Sequence, residues 1–241
     1  MDNPSGVLVF LPVYNEAGKL SGLLEKFRPG LVDEVLVIDD GSTDGSGAVA
    51  GRYPVIVLRN EKQRGVGAGI RRAVHYGRQR GHRVLVVMAG NGKDDPREIP
   101  RLLEPILREG VDYVQGSRFL SEGRYRNLPL FRLVMIKIFT RLVNLATGFH
   151  GTDVTNGFRA YRLGIFDHPA VNIEAEWLDT YEMEYYIHYK ALTLGFKVRE
   201  VPVSKLYPAG RHRAAYTKIR PFVDWWRMVR PLVFLVFRIK R

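Results

Sequence analysis

Uninterrupted runs of apolar residues are the main pattern in the first half of the chain, and they predict buried β-strands. Four such runs lie at 7–13, 35–38, 55–58 and 84–88. Helices are expected between them at about 19–27, at about 45–52, and from the glycine-rich segment 64–69 to about residue 80. A further helix is expected to begin at Asp95-Pro96, and a short strand at 113–118. This alternation predicts an α/β fold with a Rossmann-like, mostly parallel sheet flanked by helices.

Two adjacent carboxylates stand at the end of the second predicted strand. Asp39 and Asp40 lead directly into the turn Gly41-Ser42-Thr43-Asp44. Ligands of open α/β sheets bind at the carboxyl ends of the strands. An Asp at that position can accept hydrogen bonds from a ribose hydroxyl or a base N–H. The structural alternative is a strand followed by an ordinary capped turn.

The glycine-rich segment Arg64-Gly65-Val66-Gly67-Ala68-Gly69 contains part of a dinucleotide-binding fingerprint. Ile70 occupies the position where the last glycine is required, and no acidic residue follows at the expected distance. The segment therefore favours close packing of a helix start against the sheet, near a phosphate, over dehydrogenase-type binding.

Positive charge is concentrated at the carboxyl end of the chain. The net charge is +12, and the segment 205–241 holds ten Lys and Arg against the single Asp224. Such a segment suits polyphosphate, an anionic membrane surface or nucleic acid, but no nucleic-acid-binding module accompanies it. The chain has no cysteine, and its first residues lack the features of a signal peptide. We expect a cytoplasmic protein that does not bind nucleic acid.

Six short motifs follow one another in a specific order along residues 6–220. They are Pro12-Val13-Tyr14-Asn15-Glu16, Asp39-Asp40-Gly41-Ser42-Thr43-Asp44, Gly116-Ser117-Arg118-Phe119, Asp153-Val154-Thr155-Asn156-Gly157-Phe158-Arg159, Glu184 in a helix ahead of Gly195-Phe196, and Glu200-Val201-Pro202-Val203. Together they resemble the family 2 glycosyltransferases of the GT-A fold, and within them the dolichyl- or polyprenyl-phosphate sugar synthases. The resemblance implies one GT-A domain over residues 1–220, followed by a basic amphipathic tail over 221–241.

The resemblance further implies transfer of a sugar, with inversion, from a UDP- or GDP-sugar, usually to a lipid phosphate. At matching positions, the nucleotide-sugar would be bound by Pro12, Tyr14, Glu16, Asp39, Asp40, Asn91 and Arg118. Arg118 would approach the donor or the acceptor phosphate, and Asp153 and Arg159, with Glu184 behind them, would shape the acceptor side. A helix cap and a solvated helix face are the structural alternatives for Asp153 and Glu184.

The metal-binding motif of the family is where the chain departs from the resemblance. Asp-x-Asp is expected after the fourth strand, but Ala89-Gly90-Asn91 stands there. Ala89 has no ligand atom and Asn91 offers a neutral amide, whereas Mg²⁺ and Mn²⁺ favour charged oxygens. The site is either lost or rebuilt with Asn91 and Asp94. If it is lost, cations must neutralise the leaving diphosphate. The candidates are Lys93, Arg118, Arg211, Arg213 and Lys218.

The chemistry of the acceptor decides whether a general base is needed. A phosphate monoester has a second pKa of about 6 and can attack as a dianion without a base. A soluble hydroxyl acceptor would need one, and Asp153 is the candidate. A third possibility is an interaction protein that binds a nucleotide-sugar or a membrane without turnover, because Ala89-Gly90-Asn91 departs from the family.

Two segments have the character of membrane-surface helices. In 128–146, most apolar side chains fall on one half of the helix and Arg132, Lys137 and Arg141 on the other, so that it either lies in a membrane interface or packs on the sheet. The tail combines Trp225 and other aromatic residues with Lys and Arg, and its apolar run 231–237 is too short to cross a bilayer. We expect peripheral association with the anionic inner face of the membrane.

Overall fold

The predicted strands and helices are present in a computed structural model of the protein, which describes residues 6–207 and 223–240. The strands are β1 (Val7–Val13), β2 (Glu34–Asp39), β3 (Ile56–Arg59), β4 (Val84–Val87), β5 (Tyr113–Ser117), β6 (Arg124–Arg126), β7 (Arg159–Arg162), β8 (Val198–Pro202) and β9 (Ser204–Leu206). The α-helices are α1 (Ala17–Leu24), α2 (Ser46–Ala50), α3 (Val66–Gln79), α4 (Ile99–Glu109), α5 (Leu130–Thr147), α6 (Glu182–Thr193) and α7 (Val223–Val236). A 3₁₀ turn at Pro96–Glu98 precedes α4, and the Asp95 side chain caps it by accepting a hydrogen bond from the Arg97 N–H.

The central sheet has seven strands in the order β3-β2-β1-β4-β7-β5-β8. The strands β1 to β4 are parallel to one another, and β8 is parallel to β5. Only β7, within this sheet, runs antiparallel to its neighbours β4 and β5. The predicted α/β fold with a mostly parallel sheet is confirmed. The carboxyl ends of β1, β2 and β4 therefore meet at one edge, where the register pairs Val13 with Asp39.

Helices cover both faces of the central strands, which explains why the sequences of these strands do not alternate. Val9 packs on one face with Leu20 of α1 and Leu102 of α4. Phe10 packs on the opposite face with Ile70 of α3. Each fully buried side chain of this kind stabilises the folded state by roughly 1.5–3 kcal/mol relative to an exposed one. The strand ends are thus fixed by a two-sided core.

The glycines that begin α3 permit close packing, as their pattern predicted. A Cβ on Gly69 would lie 2.8 Å from the Phe10 ring of β1. A Cβ on Gly67 would lie 1.8 Å from the carbonyl oxygen of Leu178, so the helix start also packs against the main chain that precedes α6. Gly65 has a φ of 102°, a conformation that only glycine adopts readily.

The described part of the basic tail packs against the rest of the fold. The side chains of Met228 and Leu232 in α7 pack against a cluster that includes Phe139 of α5 and Tyr185 of α6. Leu235 is 7% exposed. The division into a domain over 1–220 and a tail over 221–241 stays a prediction, and α7 forms part of the wall described below.

Candidate active site

A cleft of about 720 Å³ opens at the carboxyl ends of β1, β2 and β4. Residues singled out in the sequence that line it are Pro12, Tyr14, Glu16, Asp40, Asn91, Lys93, Arg118 and Glu184. Asp39, Asp94, Asp153 and Arg159 are at most 1% exposed. The structure thus brings the sequence candidates together at one edge of the sheet, and it buries four of them behind the residues that face the cleft.

The loops that follow β1 and β2 are hydrogen-bonded to each other. The Asn15 N–H donates to Ser42 Oγ at 2.9 Å, and the Thr43 N–H donates to Asn15 Oδ1 at 2.8 Å. The Glu16 N–H donates to Ser46 Oγ at 2.8 Å. Asn15 has a φ of 51°, which an asparagine tolerates better than most residues. These bonds fix the loop that carries Tyr14 and Glu16 into the cleft.

Asp39 and Asp40 occupy different environments although they are adjacent. Asp39 Oδ1 accepts a hydrogen bond from the Ser42 N–H at 2.9 Å, so this carboxylate closes the turn after β2. Asp40 lines the cleft, where its Oδ1 and Oδ2 accept from the Arg64 and Gly65 N–H groups, each at 2.8 Å. Asp40 therefore joins the carboxyl end of β2 to the glycine-rich loop, while Asp39 supports the turn from behind.

Ala89-Gly90-Asn91 lies where an Asp-x-Asp motif was expected, and none of its three side chains is a carboxylate. Asn91 Oδ1 accepts a hydrogen bond from the Lys93 N–H at 3.3 Å. A Cβ on Gly90 would lie 2.6 Å from a Val13 methyl carbon, so this loop presses against β1. Among residues 6–207 and 223–240, no three His, Asp or Glu side chains converge as metal ligands do. The donors present here do not fit Mg²⁺ or Mn²⁺.

Asp94, the other metal-ligand candidate, is paired with a buried lysine. Lys205 Nζ lies 2.7 Å from Asp94 Oδ1 and 3.0 Å from Oδ2, and it also donates to Asn156 Oδ1 at 3.0 Å. Burial and, to a lesser extent, the positive charge of Lys205 lower the pKa of the neighbouring Lys93 to about 7, and the charge of Asp94 opposes this shift. The sequence did not mark Lys205 because its partner Asp94 is 111 residues away.

Arg118 and Asp153 form a buried, bidentate ion pair. Arg118 Nε lies 2.6 Å from Asp153 Oδ2, and Arg118 Nη2 lies 2.7 Å from Oδ1. The two side chains are 2% and 0% exposed. Burial alone would lower the pKa of Arg118, but Asp153 raises it above its ordinary value. Asp153 thus aims a permanently charged guanidinium at the cleft.

Glu200 holds the main chain at Asp153, a role that sequence reasoning did not assign to it. Its Oε1 accepts from the Asp153 N–H at 2.9 Å, and its Oε2 accepts from the Thr152 N–H at 2.7 Å. Burial raises the pKa of the Glu200 carboxyl, and these hydrogen bonds oppose the rise. The signal in the sequence was the presence of Glu200 in one of the six motifs.

Arg159 is a support for the loop that begins at Asp153. It is fully buried, and its guanidinium donates to the main-chain carbonyls of Val154, Asn156 and Glu184 at 2.9, 2.7 and 2.8 Å. The Glu184 side chain itself lines the cleft. The structure therefore joins these two candidates through the Glu184 backbone.

The far wall of the cleft is built from α5, α6 and α7 and is largely apolar. Its apolar members are Met135, Ile136, Phe139, Tyr185, Trp225, Met228 and Val229. Arg132 and Arg227 add positive charge to this wall. One continuous cleft therefore joins a polar half at the strand ends to an apolar half between helices.

The outer side of α5 also exposes apolar side chains. Phe131, Val134, Ile138, Leu142 and Leu145 are between 45% and 78% exposed. The expected helix is confirmed, but its apolar half is divided, because Phe139 and Val143 pack against α6 and α7. Ile136 is also buried, at 5% exposed. Among the described helices, none is both long enough and apolar enough to cross a bilayer.

The remaining basic candidates belong to the carboxyl-terminal segment. Arg211, Arg213 and Lys218 lie outside the described residues. Their expected part in neutralising the diphosphate stays a prediction.

Residues 8–168 match the family model described as glycosyl transferase family 2. The chain is 33% identical over 207 residues to polyprenol monophosphomannose synthase of Mycolicibacterium smegmatis, an alignment that covers 82% of this chain and 76% of that protein. It is 31% identical over 204 residues to undecaprenyl-phosphate mannosyltransferase of Micrococcus luteus, with 82% of each chain covered. Mannosyl-3-phosphoglycerate synthase from Rubrobacter xylanophilus superposes with a TM-score of 0.66 at 20% identity, covering 97% of this chain and 73% of that chain.

Proposed function

This chain belongs to glycosyltransferase family 2, and we propose that it moves a sugar from a UDP- or GDP-sugar to a polyprenyl or dolichyl phosphate. The transfer inverts the anomeric carbon and takes place at a membrane surface. The names of its relatives from M. smegmatis and M. luteus describe mannose transfer to lipid carriers, which supports mannose as the first sugar to test.

The observation that carries the proposal is the combination of two chemistries in one cleft. The half at the ends of β1, β2 and β4 contains Glu16, Asp40 and Asn91, which can hydrogen-bond a nucleotide. The half between α5 and α7 is lined by side chains such as Phe139 and Met228, which suit a prenyl chain. A soluble sugar acceptor would gain little from such a wall.

In the proposed donor site, Pro12 and Tyr14 contact the base while Glu16 and Asp40 accept hydrogen bonds from base or ribose. Asp39 acts indirectly, because it closes the turn that sets the position of Asp40. Asn91 and Lys93 then lie toward the diphosphate, since both line the cleft next to the end of β4. Glu184 faces the same cleft from α6 and is proposed to contact the sugar or acceptor.

The reaction forms one bond and breaks one. An oxygen of the acceptor phosphate attacks the anomeric carbon, and the bond from that carbon to the donor diphosphate breaks, so that the nucleoside diphosphate leaves with the electron pair. A phosphate dianion needs no general base. Arg118 faces the cleft and would stabilise phosphate charge, with Asp153 as its positioning residue. Because both Asp153 oxygens accept from Arg118, a hydroxyl acceptor that relies on Asp153 as its base is less favoured.

Peripheral binding to a membrane completes the proposal. The exposed apolar side chains of α5 lie next to the basic residues Lys137 and Arg141, a combination that suits an anionic lipid surface. Trp226 and Phe237, on and just beyond α7, are further exposed aromatic side chains, at 52% and 73% exposed. We propose the cytoplasmic leaflet, whose negative potential attracts basic segments.

Radiolabelled UDP- and GDP-sugars, incubated with undecaprenyl or dolichyl phosphate in detergent, test the reaction. We expect a labelled lipid product with one donor, and the anomeric coupling constant of that product reports inversion or retention. Soluble phosphorylated and hydroxyl acceptors serve as parallel arms. The proposal is wrong if label enters only a soluble acceptor, or if no donor gives product.

A further inference from the structure

Two buried ammonium groups line the cleft at its diphosphate end. Lys93 and Lys205 are each 8% exposed, and both face the cleft. Within the described ranges 6–207 and 223–240, Lys93 Nζ makes no ion pair; it lies 5.1 Å from the centre of the Tyr207 ring. Removing a lysine from water is costly, so two of them at one site indicate an anionic ligand.

The two lysines are held on one rigid framework. The Leu206 N–H, next to Lys205, donates to the carbonyl of Lys93 at 3.0 Å. The Ser204 N–H and Oγ both donate to the Glu98 carboxylate, at 2.7 and 2.9 Å. Strand β9 is therefore tied to the segment between β4 and α4, and the lysine side chains have little freedom to move apart.

Asp94 is committed to Lys205 and is not available to a divalent cation. Both of its oxygens accept from Lys205 Nζ, and its side chain is fully buried. A metal ion at this point would have to displace one ammonium and withstand repulsion from the other. Neither Ala89 nor Asn91 supplies a compensating negative charge.

We propose that Lys93 and Lys205 bind the diphosphate of the sugar donor in the place of a divalent cation. Asp94 and Asn156 are positioning residues that hold Lys205 toward the cleft. With Asp94 counted and Lys93 protonated, the two lysines leave one net positive charge, whereas a divalent ion between two carboxylates leaves none. This inference rests on the proposed function, because the diphosphate is that of a nucleotide-sugar.

Binding of UDP and GDP, measured by isothermal titration calorimetry, tests the inference without turnover. We expect the nucleotide that binds to show the same Kd, within about twofold, in excess EDTA and in excess Mg²⁺ or Mn²⁺. Lys93→Met is expected to weaken diphosphate binding about tenfold or more and to change the affinity for the nucleoside monophosphate much less.

Lys205 requires a paired substitution, because Lys205→Met alone would leave the Asp94 charge buried without a partner. The double variant Lys205→Met with Asp94→Asn removes both charges, and we expect a similar loss of diphosphate affinity. Lys190→Met is the matched control, since Lys190 also lies over a tyrosine ring, at 5.4 Å from the centre of Tyr186. We expect this control to bind UDP or GDP as the unmodified protein does.

The outcomes separate the two proposals. Binding and turnover that require Mg²⁺ or Mn²⁺, or a double variant that keeps full diphosphate affinity, would overturn the cation pair and leave the proposed function standing. Absence of binding by both UDP and GDP, together with absence of product, would overturn both.

Discussion

The Arg118–Asp153 pair gives a quantitative prediction, because both of its charges are almost completely buried. Asp153→Asn keeps the size of the side chain but removes the negative charge opposite Arg118. Removing one partner of a buried ion pair lowers the free energy of unfolding by about 3–5 kcal/mol. For a chain of 241 residues this lowers the melting temperature by roughly 10 °C.

The chain contains a matched pair on the surface. Arg199 Nη1 lies 2.5 Å from Glu109 Oε2, a distance similar to that in the buried pair, but the two side chains are 47% and 42% exposed. Exposed pairs contribute about 0–1 kcal/mol, so Glu109→Gln should lower the melting temperature by no more than a few degrees. Differential scanning calorimetry of both variants measures the difference directly.

The same variant separates positioning from catalysis. If Asp153 positions Arg118, Asp153→Asn lowers activity at all pH values alike and without loss of an acidic limb from the pH profile. Equal thermal shifts for Asp153→Asn and Glu109→Gln would refute the energetic reasoning. A preserved melting temperature with a lost acidic limb would instead identify Asp153 as a general base.

Three further predictions concern packing, pH and the membrane. Gly67→Ala brings a methyl group against a main-chain carbonyl and should lower the free energy of unfolding, measured in urea, by at least about 2 kcal/mol. Gly18→Ala, in open space on α1, should raise it by about 0.5–1 kcal/mol. Burial holds the pKa of His188 well below its usual 6.5, so the imidazole stays neutral in the native state. The contribution of His188 to the free energy of unfolding is therefore full above pH 6.5 and falls by up to about 1.4 kcal/mol per pH unit below it. Urea titrations of His188→Gln should lack this slope. Leu145→Ser should reduce sedimentation with anionic vesicles several-fold, while Leu107→Ser, which changes an apolar side chain on α4 that is 45% exposed, should leave it unchanged. Equal effects of the two leucine substitutions, or a pH slope that survives in the histidine variant, would contradict the respective arguments.

The sequence predicted β1 to β4 well because each of these strands is a short, largely apolar run between polar loops, whereas β6, β7 and β9 are not apolar runs and were not predicted. Val7–Val13 was predicted to the residue, since burial on both faces leaves no room for polar positions. The order of the strands was less accessible. Nothing in the local pattern of Arg159–Arg162 indicates that this segment enters the sheet between β4 and β5, because strand order depends on contacts between distant segments.

The candidate site was predictable in location but not in the role of each residue. Asp39 and Asp40 are adjacent and chemically identical, and only the fold assigns one to a turn and the other to the cleft. Lys205 could not be paired with Asp94 from the sequence, since no local periodicity connects residues so far apart. The sequence also could not show which apolar side chains of α5 are buried and which are exposed, because periodicity does not tell which of them pack against another helix.

The position of β7 sets the order in which the sheet can be assembled during synthesis. β5 pairs only with β7 and β8 in the central sheet, and both leave the ribosome later than β5 does. The strands β1 to β4 can already pair with one another, so the side of the cleft that they form can be in place early in a nascent chain. Until residues 159–162 emerge, the edges of β4 and β5 remain open to wrong pairing or to chaperones. A ribosome stalled just before that point therefore carries a four-stranded half-sheet with an unprotected edge.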